Sequence, residues 1–237
     1  RNDIVIRGNS PTGVLWRIEG LNIPNPNHFS TIGTTGGTVS AINTNVIKNS
    51  DFFTSAFPAE YGNALSGVFD LRMRKGNYEK HEFTGQIGFN GLEFGAEGPF
   101  SKNSNASYLV SARYSTLEFM SKMGMDFGTG TAIPKYSDAS FKINIPTKSV
   151  GTFNIFGLGG MNSIDFVNSI KDTSDTRESL YGDRYYDIYS KNDMAVIGAN
   201  HTYFFNENTH TKFSISGSRI SNHTIVDSVS PINKSTY

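Results

Sequence analysis

The sequence predicts a mainly β protein, with a small α+β unit over residues 1–77 followed over residues 78–237 by antiparallel up-and-down strands of an incomplete transmembrane β-barrel. Three observations predict it. Segments after residue 80 alternate apolar and polar side chains with a period of two, which gathers the apolar set on one face of a sheet. Their connections alternate in length, short on one edge and long on the other, as turns and loops of a membrane barrel do. No stretch approaches the ~18 consecutive apolar residues of a membrane-spanning helix, so any crossing is made by strands.

Composition agrees and bounds function. Hydrophobic residues make up 37% of the 237, while 24 Gly, 18 Phe and 11 Tyr favour strands and turns over helices. Lys plus Arg equal Asp plus Glu at 21 each, so net charge supplies no argument for nucleic acid or an anionic surface. The absence of cysteine excludes a disulfide scaffold and a thiolate metal site. The opening RNDIVIRG starts in mid-strand, with neither a charged n-region nor an apolar h-region, and reads as an internal cut.

Along the chain, residues 3–8 (DIVIRG) and 13–20 (GVLWRIEG) read as short strands ending in Gly. A loop rich in Pro, Asn, Thr and Gly covers 24–38, a mixed stretch follows at 39–57, and a strand at 68–74 leads to the linker GNYEKH at 76–81. In FTGQIGFNGLEFGAEG (83–98) the apolar phase flips from odd to even positions, which predicts a hairpin with a type I′ turn at Asn90-Gly91. Phe89 then faces Leu92, Ile87 faces Phe94 and Gly85 faces Ala96, leaving Thr84, Gln86, Glu93 and Glu97 on the polar side. Further strands are expected at 107–119, 138–145, 150–164, 192–205 and 210–222. The cleanest is DASFKINI, with Ala139, Phe141, Ile143 and Ile145 against Asp138, Ser140, Lys142 and Asn144. That makes seven strands, an odd number where single-chain bacterial barrels hold an even one.

Four short elements in order carry a family resemblance: Ile6-Arg7-Gly8, Ile18-Glu19-Gly20, Tyr61-Gly62 and Ser66-Gly67-Val68-Phe69-Asp70-Leu71. Together with LEFGAEGP at 92–99 they resemble the plug and first barrel strands of TonB-dependent outer-membrane receptors, particularly those of Bacteroidetes. Two positions depart: Glu19 stands where the family has Asp, and Asp51-Phe52-Phe53 where it often has an I-E-V run. The resemblance implies a barrel of about 22 strands plugged by the N-terminal domain, and so a fragment here, with closing strands missing. It further implies active uptake of a nutrient (glycan, peptide or metal chelate) across the bacterial outer membrane. Its partners would be periplasmic TonB, outer-membrane lipid and a surface lipoprotein lid.

The resemblance also implies sites. The loop at 24–37 lies where family plugs face the substrate, and Asn25, Asn27, His28 and Phe29 offer amide, imidazole and aromatic surfaces; an ordinary Asn/Pro turn cluster has the same composition. Plug arginines Arg7, Arg17, Arg72 and Arg74 are candidates to pair with the lumen-facing carboxylates Glu93 and Glu97. Asp165, Asp172, Asp175, Glu178, Asp183 and Asp187 have no EF-hand spacing and read as solvated loop charge. His28, His81, His201, His210 and His223 form no metal-ligand motif, and no nucleophile elbow, phosphate loop or dinucleotide fingerprint marks an enzyme or a cofactor. A soluble or surface-anchored β-sandwich binding module shares the same alternation. It differs in that Phe141, Ile143 and Ile145 would meet a second sheet instead of lipid.

Overall fold

The computed structural model describes residues 3–30, 35–88, 91–102, 104–124, 132–167, 169 and 186–229. The N-terminal unit is built on a four-stranded sheet in the order β2-β1-β6-β5, from β1 (Val14–Ile18), β2 (Leu21–Ile23), β5 (Asp51–Phe53) and β6 (Gly67–Leu71). A separate pair is formed by β3 (Asn27–His28) and β4 (Val39–Ser40). β1 and β2 close at Glu19 and Gly20 with φ of +54° and +84°, positive at both central positions as a type I′ turn requires. In-register aromatics join three of the strands: Trp16 stacks on Phe69 at 4.2 Å, and Phe69 on Phe52 at 4.4 Å. Among the described residues the helical part of this unit consists of two 3₁₀ turns, Pro11–Gly13 and Thr44–Val46, capped by Ser10 and Asn43.

The seven expected strands form one antiparallel sheet in sequence order: β7 (Glu82–Gly88), β8 (Gly91–Pro99), β9 (Ser107–Tyr114), β10 (Lys135–Pro146), β11 (Thr152–Phe166), β12 (Tyr186–Asn206) and β13 (Thr209–Ser228). The connections sort as predicted. Those at 100–106, 147–151 and 207–208 are short, and those at 115–134 and 167–185 are long, with 89–90 the tight exception.

This sheet is inside out relative to a soluble one. Along β10, Asp138, Ser140, Lys142 and Asn144 are all buried, while Ala139 and Ile145 are exposed and Phe141 and Ile143 half-exposed. Phe94 and Ile197, on the same outer side, are 56% and 59% exposed. No element among the described residues covers that apolar face, as a sandwich would require. On β11 the outward positions are apolar or Gly from Phe153 to Met161 and turn polar at Ser163 and Asp165, a band matching the ~9–11 residues of a spanning strand. The buried core lies on the other face: Ile18, Ile23, Val46 and Met73 of the first unit pack with Leu109, Phe156 and Val196 of the wall.

Four local expectations are corrected. Residues 3–8 do not form a strand; Ile6 bridges Asn9 around a turn with Arg7 and Gly8 at φ of +52° and +76°. The strand expected at 107–119 stops at Tyr114 and gives way to α1 (Leu117–Lys122), where Glu118 and Lys122 pair across one turn at 3.0 Å. The first hairpin pairs Gly88 with Gly91, Ile87 with Leu92 and Gly85 with Phe94, two residues out from the predicted register. The reason is at Gly91: a Cβ there would sit 2.5 Å from the Tyr114 carbonyl oxygen, so this glycine serves as a close-packed strand residue. A shift of two keeps both apolar sets on one face. The fourth is the turn itself: Gly91 lies in β8 without the positive φ that a type I′ turn requires at both central positions, so it is not a turn residue. Asn90 lies outside the described residues, as do Asp172, Asp175, Glu178 and Asp183.

Candidate functional site

The polar face of the wall meets the N-terminal unit through four groups of contacts. At the β1–β2 turn, Lys142 on β10 reaches Glu19 Oε1 at 2.8 Å and the Met73 carbonyl at 2.9 Å, while Met73 N–H donates to the same Glu19 oxygen at 2.7 Å. Asn200 and Lys212 donate to the Glu19 carbonyl at 3.1 and 3.2 Å. With side-chain exposures of 4% and 12%, Lys142 and Glu19 are withdrawn from water together.

On β8, Glu97 accepts two parallel bonds from Arg74, both 2.7 Å, and one from Asn77 N–H at 2.7 Å. Glu93 accepts from the amides of Asn43 and Asn45 at 2.6 and 2.7 Å, and Asn43 also donates to Ser111 on β9 at 2.7 Å. The fourth group surrounds Asp138. His28 lies 3.1 Å from its Oδ2, and Arg113 donates to the same oxygen through Nε at 3.0 Å and Nη2 at 2.6 Å. Arg113 also donates to the Ser40 carbonyl, so β3 and β4 are both tied to the wall.

The expected pairing residues divide. Glu97 and Arg74 meet across the interface, and Glu93 meets amides in place of arginines. Arg17 lies in register with Asp70, donates to the Gly20 carbonyl at 2.6 Å and stands 3.8 Å from Glu60, all within the N-terminal unit. Its guanidinium covers the Tyr61 ring at 4.7 Å, and Tyr61 donates to Asp70 at 2.9 Å. Burial, and then the Asp70 carboxylate, push the Tyr61 hydroxyl above its ordinary value. Arg72 is 3.8 Å from Asp51 on the neighbouring strand, because β5 and β6 are adjacent, and Arg7 is exposed in its turn.

In the loop, His28 is 2% exposed and committed to Asp138 and Asn162, while Phe29 donates its N–H to Asn162 at 3.3 Å. Asn25 and Asn27 hold the loop together: Asn27 donates to Asn25 Oδ1 at 2.9 Å and to the Thr35 carbonyl at 3.0 Å. Sequence reasoning missed Lys142, Asp138 and Arg113 as partners, although the alternation of DASFKINI had placed the first two on the polar face. Among the described residues no group of three or more His, Asp or Glu is placed to hold a metal ion.

A small N-terminal unit seated against the polar face of an up-and-down wall with an apolar exterior defines the plug-and-barrel fold of outer-membrane receptors and transporters. Solved structures of that class match the chain. They include the pyoverdine outer membrane receptor FpvA of Pseudomonas aeruginosa PAO1, at 12% identity and a TM-score of 0.63, over 91% of this chain and 31% of that one. The siderophore receptor PirA of Acinetobacter baumannii matches at 15% identity and a TM-score of 0.56, over 99% of this chain and 36% of that one. The outer membrane transporter YddB of Escherichia coli matches at 13% identity and 0.51, over 94% and 33%. The chain thus spans about a third of these structures, and at such identities the likeness is one of fold. No family model and no curated protein matches it.

Proposed function

We propose that this chain contributes the plug, residues 1–77, and the first barrel strands, residues 78–237, of a TonB-dependent transporter in the bacterial outer membrane. The plug gates uptake of a nutrient; the chain is not an enzyme. One observation carries the reading: the seven-stranded sheet buries its charged and amide side chains against the N-terminal unit and turns its Phe, Ile and Val side chains outward. In water this arrangement exposes a large apolar face. In a bilayer it is the stable one, since lipid takes the apolar side and a wet lumen the other.

The contacts of Glu97 with Arg74, Glu19 with Lys142, Asp138 with His28 and Arg113 with the Ser40 carbonyl are the ties that keep the plug seated. Substrate docking at the 24–30 loop, followed by a pull from TonB, would break them. The Bacteroidetes type and a lipoprotein lid rest on the residue pattern alone. The test is fractionation of the protein from its native cells, followed by uptake with and without TonB. Recovery from the outer membrane only in detergent, with TonB-dependent uptake, is the expected result. A monodisperse monomer without detergent would overturn the reading and return the chain to the sandwich class.

A further inference from the structure

We propose that the cavity between the N-terminal unit and strands β11–β13 binds a neutral, hydroxyl-rich ligand, a saccharide. This rests on the uptake reading and names the substrate class. The cavity holds about 430 Å³, within the ~300–1,000 Å³ of small-molecule sites, and is lined by the β1–β3 segment on one side and the inner wall on the other.

Three asparagines form its wall side. Asn162, Asn192 and Asn222 are register neighbours across β11, β12 and β13. The orientation of Asn162 is fixed by Phe29 N–H, which donates to its Oδ1 at 3.3 Å, with Asn192 Nδ2 donating to the same oxygen at 3.1 Å. Asn162 Nδ2 therefore donates to His28 Nδ1 at 3.2 Å, and His28 Nε2 donates to Asp138. His28 is thus a positioning residue, holding the loop and the amide row in register.

Groups remain open to a ligand after these bonds are made. Asn192 keeps its Oδ1, and the Asn222 side chain makes no hydrogen bond among the described residues. These offer an acceptor and an amide with both capacities, which matches hydroxyl groups, since each donates and accepts.

Charge separates the candidate classes. Among the described residues no Lys or Arg lines the cavity, and the side chain of its one acidic lining residue, Asp193, alternates to the outer face beside exposed Met161. An anionic metal chelate would be desolvated there without a counter-charge. The charged termini of a short peptide would be desolvated there in the same way, since no Lys or Arg among the described residues lines the cavity. Val14, Ile23, Met194 and Ile220 supply apolar surface for the C–H faces of a sugar ring.

Trp16 is the only tryptophan of the chain and reports on the cavity directly. The detergent-solubilised protein is titrated with neutral glucan, mannan, xylan and galactan oligosaccharides, then with a ferric catecholate and with a tripeptide mixture. Fluorescence is read as the signal that Trp16→Phe removes. We expect a saccharide to change it, and Asn192→Leu and Asn222→Leu each to weaken binding about threefold to tenfold, the value of one hydrogen bond. Asn222 is exposed on the sheet, so its variant keeps the fold. A Trp16 signal from the chelate or peptides alone, or from none of the probes, overturns the saccharide assignment. If the protein is nonetheless an outer-membrane one, the uptake reading survives that failure; a detergent-free monomer ends both.

Discussion

Lys142→Met is the sharpest perturbation of the plug seat. The substitution keeps the volume of the side chain and removes a cation that is 4% exposed, leaving Glu19, 12% exposed, facing an apolar group. Deleting one partner of a buried pair costs about 3–5 kcal/mol, because the remaining charge stays desolvated. At 1.4 kcal/mol per decade this raises the unseated population by a factor of ~10² to a few thousand.

The chain contains no cysteine, so a single thiol can report that population. Val46, 3% exposed in the shared core with Leu109 and Phe156, becomes accessible only when the plug leaves the wall. With Val46→Cys as the reporter, maleimide labelling should accelerate by about that factor in Lys142→Met. Adding Glu19→Gln should slow it again, since the amide introduced is neutral yet still accepts from Met73 N–H. Equal labelling with and without Lys142→Met refutes the reasoning. So does a double variant that labels as fast as the single one, since coupling between the two charges is what it measures.

Three further outcomes are expected. Glu97→Gln, which leaves a half-exposed Arg74 with one neutral acceptor, should raise the same labelling rate by only about tenfold, because solvent screens that pair. Tyr61 should ionise above free tyrosine in ultraviolet difference titration, and Tyr61→Phe should remove that phase. Because the folded value is raised, its contribution to stability is complete below about pH 10, the unfolded tyrosine value, and is lost as pH climbs through the folded one. Phe141→Arg on the outward face of β10 should destabilise membrane assembly by about 2–4 kcal/mol, visible as lower outer-membrane yield, while Phe141→Leu should not.

The parts of the fold that were legible in sequence are those where one face alone is apolar. DASFKINI could be read because each residue has one neighbour set, the outer apolar face or the inner polar one, and the period of two records it without reference to the rest of the chain. Register could not be read, because the Asn90-Gly91 signal is local whereas Gly91 is needed against Tyr114, on a strand that pairs later. Residues 3–8 had strand composition but no neighbour to pair with beyond Asn9 among the described residues. At 117–122 the helical i,i+4 pair of Glu118 and Lys122 was present in the sequence, and the apolar alternation before it masked it. The site was less legible still. Lys142 and Glu19 are 123 positions apart, and their meeting depends on where the β1–β2 turn lands against the wall, which no local pattern encodes.

The distribution of the ties bears on how a plug of this kind can be both seated and movable. Seven apolar side chains make the shared core, each worth roughly 1.5–3 kcal/mol when fully buried, so separation exposes them against a substantial cost. The polar ties behave differently. The contact of Asn200 with the Glu19 carbonyl exchanges for water with a net loss of about 0.5–1.5 kcal/mol, and those of Asn43 and Asn45 with the Glu93 carboxylate with about 1.5–3 kcal/mol each, and they lie on different strands. A displacement that wets the interface strand by strand therefore meets a series of small barriers. Lys142 with Glu19 is the exception, since both charges are withdrawn from water, at 4% and 12% exposure, and the pair opens only when water reaches both. That places the steepest barrier at the β1–β2 turn, where two positive-φ residues of the plug rest on side chains from β10, β12 and β13 together.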